Sequence, residues 1–76
     1  MTPEILVDAR GHRCPVPTLR LRRALEAAAG GAVIRMLADD PLARIDVPHF
    51  AAEAGCEVLE VSEADGVLSF RVRKAV

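Results

Sequence analysis

The stretch Glu4-Ile5-Leu6-Val7-Asp8-Ala9-Arg10-Gly11-His12-Arg13-Cys14-Pro15-Val16-Pro17 leads through residues 18–29 and Gly30-Gly31 to Ala32-Val33-Ile34-Arg35-Met36-Leu37-Ala38. Its reading decides the fold. Residues 4–9 are short, rich in β-branched and aliphatic side chains, and followed by a polar segment with Gly11, which predicts a first strand. Proline is tolerated in the first helical turn, where its missing N–H costs nothing, so the Cys-Pro-Val-Pro element opens a helix. Leu21, Ala24, Leu25 and Ala28 then recur at i, i+3, i+4 and i+7, one helical face. The helix is expected from Pro15 or Pro17 to Ala29, closed by Gly30-Gly31. Residues 32–38 form a near-continuous apolar run, the mark of a strand inside a sheet. If the two strands are parallel, residues 4–38 are a right-handed strand–helix–strand unit.

Working outward, Asp39-Asp40-Pro41 reads as a helix start, an aspartate cap followed by proline. Pro48 predicts a break near Asp46-Val47, with a short turn over residues 42–45 before it and a second helical piece from Pro48 to Ala54 after it, stopped by Gly55. Glu57–Ser62 reads as a third strand, and Ala64-Asp65-Gly66 as a hairpin turn. In residues 67–74, Leu68, Phe70 and Val72 alternate with Ser69, Arg71 and Arg73, giving one buried and one wet, basic face. The order β-α-β-α-β-β predicts an α+β, two-layer α/β sandwich: a four-stranded mixed sheet with two helices on one face. The expected core includes Ile5, Val7, Val33, Ile34 and Met36 from the first two strands. Leu21, Leu25, Ile45 and Phe50 are expected from the helices, and Val58, Val61, Leu68, Phe70 and Val72 from the last two strands.

Seventy-six residues suit a single domain spanning 1–76, and 51% apolar composition excludes a disordered tail. No apolar run approaches the roughly 20 residues needed to cross a bilayer. There is no basic segment followed by an apolar stretch to act as a secretory signal. Two cysteines cannot build a secreted disulfide framework, so the expected compartment is the reducing cytoplasm. The net charge is −1, with five arginines in the first 25 residues and a basic last strand. That balance suits a local docking surface better than bulk attraction to nucleic acid.

Chemistry concentrates at Cys14. Helix N-termini carry amides without intrahelical partners and roughly half a positive charge. Arg13 adjoins the cysteine, and Arg10 and His12 are close in sequence. A thiol of ordinary pKa about 8.5 is drawn toward the thiolate in such a field, and the thiolate is the nucleophile. A terminal persulfide sulfur, also an anion, is favoured equally. Pro15 and Pro17 contribute no N–H, so Val16, Thr18 and Leu19 must supply any direct hydrogen bonds. The prolines instead stiffen the loop, which lowers the ordering cost of presenting a thiol to another protein. The plainer alternative is a proline-stabilised helix start that happens to carry a cysteine.

Around the helix axis, Leu19, Arg20, Arg22 and Arg23 fall opposite the sheet-facing side. An apolar centre among arginines is a common docking composition, and a solvated helix face is its competitor. Of Asp39 and Asp40, one is read as the cap and the other as a partner contact. No further carboxylates or histidines stand at ligand spacing, so no metal site is expected. His12 is read as solvated rather than as a proton carrier, and Cys56 as a packed, inert thiol rather than a resolving cysteine.

Together, Asp8-Ala9-Arg10-Gly11-His12-Arg13-Cys14-Pro15-Val16-Pro17, Ala38-Asp39-Asp40-Pro41, Asp46-Val47-Pro48, and Asp65-Gly66 before a basic strand resemble the TusA/SirA-type sulfur-carrier proteins over essentially the whole chain. The Cys-Pro-x-Pro element is that family's signature. His12 departs from the apolar residue many members carry there. The resemblance implies that Cys14 accepts sulfur as a persulfide from a donor such as a cysteine desulfurase or rhodanese. It then relays that sulfur to an acceptor protein, for tRNA thiolation, molybdenum-cofactor synthesis or sulfur oxidation. Arg13, Pro15, Val16, Pro17 and Thr18 support the sulfur; Arg10, Leu19, Arg20, Arg22, Arg23, Asp39 and Asp40 meet partners. The covalent sulfur needs no cofactor, and turnover belongs to the pair of proteins rather than to this chain alone. No membrane or direct nucleic-acid partner is expected. Two other readings stay open: a nucleic-acid-binding or regulatory module using the arginine face, and a thiol redox protein using Cys14 and Cys56. The first is opposed by the absence of Tyr and Trp and the presence of only two Phe. The second requires the two Cα atoms within about 7 Å.

Overall fold

A computed structural model describes residues 4–13 and 15–75. The expected strand–helix–strand unit is present as β1 (Ile5–Asp8), α1 (Val16–Ala27) and β2 (Val33–Ala38), and the two strands pair in parallel. It is followed by α2 (Ala43–Glu53), β3 (Glu57–Ala64) and β4 (Val67–Arg73). The sheet is mixed, in the order β1-β2-β4-β3, with the apolar β2 inside as its composition predicts. β2 and β3 both pair antiparallel with β4. Asp65 and Gly66 turn the β3–β4 hairpin with φ of 51° and 78°. Two consecutive positive φ values are what a two-residue type I′ turn demands, and Gly66 meets that demand without a steric cost.

Period-two alternation decides which sheet face is dry. Ile34, Met36 and Ala38 of β2 and Leu68, Phe70 and Val72 of β4 are buried in one cluster with Leu21 and Leu25 of α1 and Val47 and Ala51 of α2. Both helices therefore lie on that face, forming the expected two-layer sandwich. The opposite face carries Arg35 and Arg71 in direct register. Glu4 lies between them, 3.2 Å from Arg71 and 3.8 Å from Arg35, and offsets the like-charge contact.

Three expectations are corrected. First, α2 is one continuous helix that runs through Pro48 rather than breaking at Asp46-Val47. Its buried residues Ala43, Val47 and Ala51 repeat every four positions, and packing of that stripe on the sheet outweighs the proline penalty of about 3 kcal/mol. Second, α1 ends at Ala27, short of Ala29, and its last turn is capped from a distance: Lys74 Nζ donates to Ala28 O at 2.7 Å. Third, Ile5, Ile45 and Val61 are exposed, not core. Ile45 stands about 200° around the uninterrupted helix from Ala43, and so faces away from the sheet. The core instead takes Ala9, Ala32, Ala38, Ala43 and Ala51, small residues that let the layers approach closely. Gly55 stops α2 as expected: Cys56 N donates to Ala51 O at 2.8 Å and Gly55 N to Ala52 O at 3.2 Å, the paired bonds of a Schellman ending.

Candidate functional site

The parallel pairing of β1 and β2 brings their carboxyl ends side by side, the usual place for a site in a sheet with parallel strands. Residues 9–15 leave β1 there, and residues 39–42 leave β2. Cys14 itself lies outside the described residues, but the frame on either side of it is defined.

That frame is tied across the two loops. Gly11 has φ of 83°, and its amide donates to both carboxylate oxygens of Asp39, at 3.0 and 2.9 Å. A side chain at Gly11 would be strained in this conformation although open space surrounds it. Upstream, the Arg10 guanidinium forks onto the Asp8 carboxylate, with Nε and Nη2 at 2.9 and 2.7 Å, and the Arg10 amide adds a bond of 3.1 Å. The guanidinium hydrogen bonds first, then the amide, hold the Asp8 carboxyl down at about 2, while Arg10 is raised by the same contact. Asp40 Oδ1 accepts from Leu42 N at 3.0 Å, and Asp40 O from Ala43 N at 3.0 Å, so Asp40 closes the turn that feeds α2. The helix itself starts after Leu42 with no side-chain cap, so the aspartate acts one turn earlier than the sequence suggested. Asp39 and Asp40 thus divide two structural tasks between them.

At the start of α1, Val16 N donates to Arg13 O and Leu19 N to Pro15 O, both at 3.0 Å. Pro15 and Pro17 have no amide to give. Of the three donors expected for an anionic sulfur, two, the Val16 and Leu19 amides, are therefore committed to the backbone. Thr18 Oγ1 is enclosed and has no hydrogen-bond partner among the described residues. Pro17 is fully buried and anchors the helix start to the core, while Pro15 and Val16 stay exposed. His12 and Arg13 are exposed and, with Gly11 and residues 39–42, line a shallow depression of about 470 Å³.

The expected partner residues do not form one face. Leu19 is 52% exposed. Arg20 Nη1 reaches back to Asp8 O at 2.7 Å, and Arg20 and Arg23 border a groove between α1 and β1. Arg22 points the other way, with its guanidinium 5.4 Å from the centre of the Phe50 ring on α2. Arg10 is bound to Asp8. Arg13 and Arg23 have no ion-pair partner among the described residues. The Asp8–Arg10 pair joins the last residue of β1 to the turn that follows it, a local i, i+2 contact that strand alternation does not announce.

The basic last strand is neutralised: Arg71 meets Glu4 and Glu60, and Arg73 meets Glu57 at 2.7 Å. It offers no unpaired basic row to a nucleic-acid backbone. Cys56 is half-buried, with its thiol 3.9 Å from Ala54 O. It precedes Glu57, which pairs with Arg73 and hence lies at the Val33 end of β2, opposite the Gly11–Asp39 end. Among the described residues no group of three His, Cys, Asp or Glu is placed to hold a metal ion, and no helix is long and apolar enough to cross a membrane.

Comparison with known proteins agrees with this architecture. The family described as Sulfurtransferase TusA matches residues 5–74. The sulfur carrier protein TusA of Pseudomonas putida is 34% identical over 73 residues, covering 96% of this chain and 91% of the relative. That of Allochromatium vinosum is 36% identical over 69 residues, covering 91% of each. Among solved structures, a SirA-like protein from Desulfitobacterium hafniense aligns with a TM-score of 0.83 at 31% identity, covering 95% of this chain and 99% of the other.

Proposed function

The chain belongs to the TusA sulfurtransferase family, and we propose that its 76 residues act as one sulfur-carrier domain with Cys14 as the sulfur-bearing residue. The observation that carries this reading is the family match over residues 5–74. The loop frame supports it: Gly11–Asp39 and Asp8–Arg10 brace the loop that precedes residue 14 in sequence.

The chemistry is a relay without net redox change. The Cys14 thiolate attacks the outer sulfur of a donor's persulfide; the new S–S bond forms as the donor's S–S bond breaks, and the donor cysteine leaves as a thiolate. An acceptor thiolate then attacks the outer sulfur now on Cys14, and the Cys14 thiolate departs. The positive charge of exposed Arg13 favours the anionic forms of both stages. The sulfur is cargo, not a resident cofactor. The donor is of the cysteine desulfurase or rhodanese type, and the acceptor serves tRNA thiolation, molybdenum-cofactor synthesis or sulfur oxidation. Leu19, Arg20 and Arg23 supply the docking surface beside the sulfur, and the reducing cytoplasm is the compartment that keeps such a thiol available.

Transfer of radiolabelled sulfur from a desulfurase through this protein to an acceptor tests the reading. Cys14→Ser abolishes passage of label, and Cys56→Ser leaves it intact. Arg20→Glu with Arg23→Glu slows transfer while the rate of Cys14 alkylation stays the same. Undiminished transfer by Cys14→Ser overturns the assignment.

A further inference from the structure

We propose that the free edge of β1, with the groove beside α1, receives an extended acidic and apolar segment of a partner protein as an added strand. β1 is an outer strand of the sheet. Ala9 N donates across to Leu37 O in β2 at 2.8 Å, so alternation turns the amides and carbonyls of Ile5 and Val7 toward β2 and those of Leu6 and Asp8 outward. Arg20 confirms the direction by donating to the outward Asp8 carbonyl. Leu6, 62% exposed, keeps both its backbone groups on the free edge.

The two edges of the sheet differ. β3 carries Glu57, Glu60 and Glu63 and a bulge between Val58 and Glu60, devices that deter strand addition. β1 has neither bulge nor proline; an arginine guanidinium lies on its carbonyl instead. Beside it runs a groove of about 530 Å³ floored by Leu6, Val16, Leu19 and Ala24 and edged by Arg20 and Arg23. Among the described residues lining it the only carboxylate, Asp8, is already engaged by Arg10. Charge complementarity therefore selects an anionic occupant. A second copy of the chain does not supply that charge, because the carboxylates of its own β1 edge, Asp8 and Glu4, are already paired with Arg10 and Arg71. An incoming strand takes the Leu6 and Asp8 backbone groups, and Arg20 exchanges a neutral carbonyl for a carboxylate, a bond roughly twice as strong.

This deepens the proposed function by naming the form of the docking partner, and its test reads backbone amides with no sulfur transfer, so the two readings can fail separately. Amide hydrogen exchange is followed by NMR with two short capped peptides, one alternating valine and glutamate, the other valine and lysine. Saturation with the glutamate peptide slows exchange at Leu6 and Asp8 by about tenfold or more and leaves Ile5 and Val7 unchanged. The lysine peptide does neither. Arg23→Glu weakens the glutamate peptide about tenfold, and Leu6→Pro, which removes only an outward amide, abolishes the protection. Leu6→Glu gives the same loss in a variant with no backbone change, by opposing the anionic strand and removing the apolar contact. Equal binding of both peptides, protection elsewhere, or no protection overturns the proposal, as does concentration-dependent protection of Leu6 without peptide, which assigns the edge to a second copy.

Discussion

Both carboxylate oxygens of Asp39 accept the Gly11 amide, and this one contact joins the loop after β1 to the loop after β2 across 28 positions of sequence. It ties the chain three residues before Cys14 to a second element rather than leaving it held by the helix alone. Rigidity at this point lowers the entropy lost when the loop docks against a partner.

Removing that contact has a measurable cost. Asp39→Ala is expected to lower stability by about 1 kcal/mol in urea unfolding, the net worth of one solvent-accessible hydrogen bond to a carboxylate. Faster amide exchange at Gly11, His12 and Arg13 accompanies it, with β4 unaffected. Unchanged exchange in the loop would show that Asp39 does not brace it.

Acid dependence follows from Asp8. Its carboxyl is lowered from 3.8 to about 2 by the Arg10 hydrogen bonds, so folding is favoured by this ionised group above about 3.8. The contribution declines as the pH falls from 3.8 toward 2, where Asp8 protonates in the folded state too. NMR titration of the side-chain carboxyl is expected to show the lowered midpoint, and Arg10→Ala to return it toward 3.8. A midpoint near 3.8 in the unaltered protein contradicts the pairing.

Pro48 sits within α2 and withholds one amide from the Arg44 carbonyl. Pro48→Ala restores that bond, with a smaller opposing effect from the freer unfolded chain. A net gain of about 1–2 kcal/mol is expected by thermal or urea unfolding, with no change in helix boundaries. Destabilisation would mean that the Pro48 ring itself contributes packing that the backbone bond does not repay.

The corrected core separates two apolar residues that look alike in sequence. Phe70 is fully buried, and Phe70→Ala is expected to cost about 3–5 kcal/mol, a large share of the stability of a domain this small. Ile45 is 68% exposed, and Ile45→Ala is expected to change stability by less than about 0.5 kcal/mol. A similar loss for both would place Ile45 back in the interior.

The contrast shows where the sequence was legible. Strands with clean alternation, such as Leu68, Phe70 and Val72, declared their faces, and Asp65-Gly66 declared its turn. The α1 face was readable because nothing interrupts its periodicity. α2 was misread because a local rule about proline predicted a break that burial of Ala43, Val47 and Ala51 overrides. Ile45 followed that error, since its phase is defined only on an unbroken helix. Distant ties were invisible for a different reason: Lys74 on the end of α1 and Asp39 on Gly11 are made by the tertiary fold and leave no local pattern. At the candidate site, the residue types were readable, but the commitment of the Val16 and Leu19 amides and the divergence of Arg20 from Arg22 required coordinates.

Sulfur carriage by this chain requires a thiol that takes up a transferable sulfur atom. Its most direct test is the intact mass of the protein after incubation with a cysteine desulfurase and cysteine. The expected result is a gain of one sulfur atom per chain, mapped to the peptide containing Cys14, removed by reductant, retained in Cys56→Ala and absent from Cys14→Ala. A folded protein whose mass does not change, or whose added sulfur maps to Cys56, contradicts it.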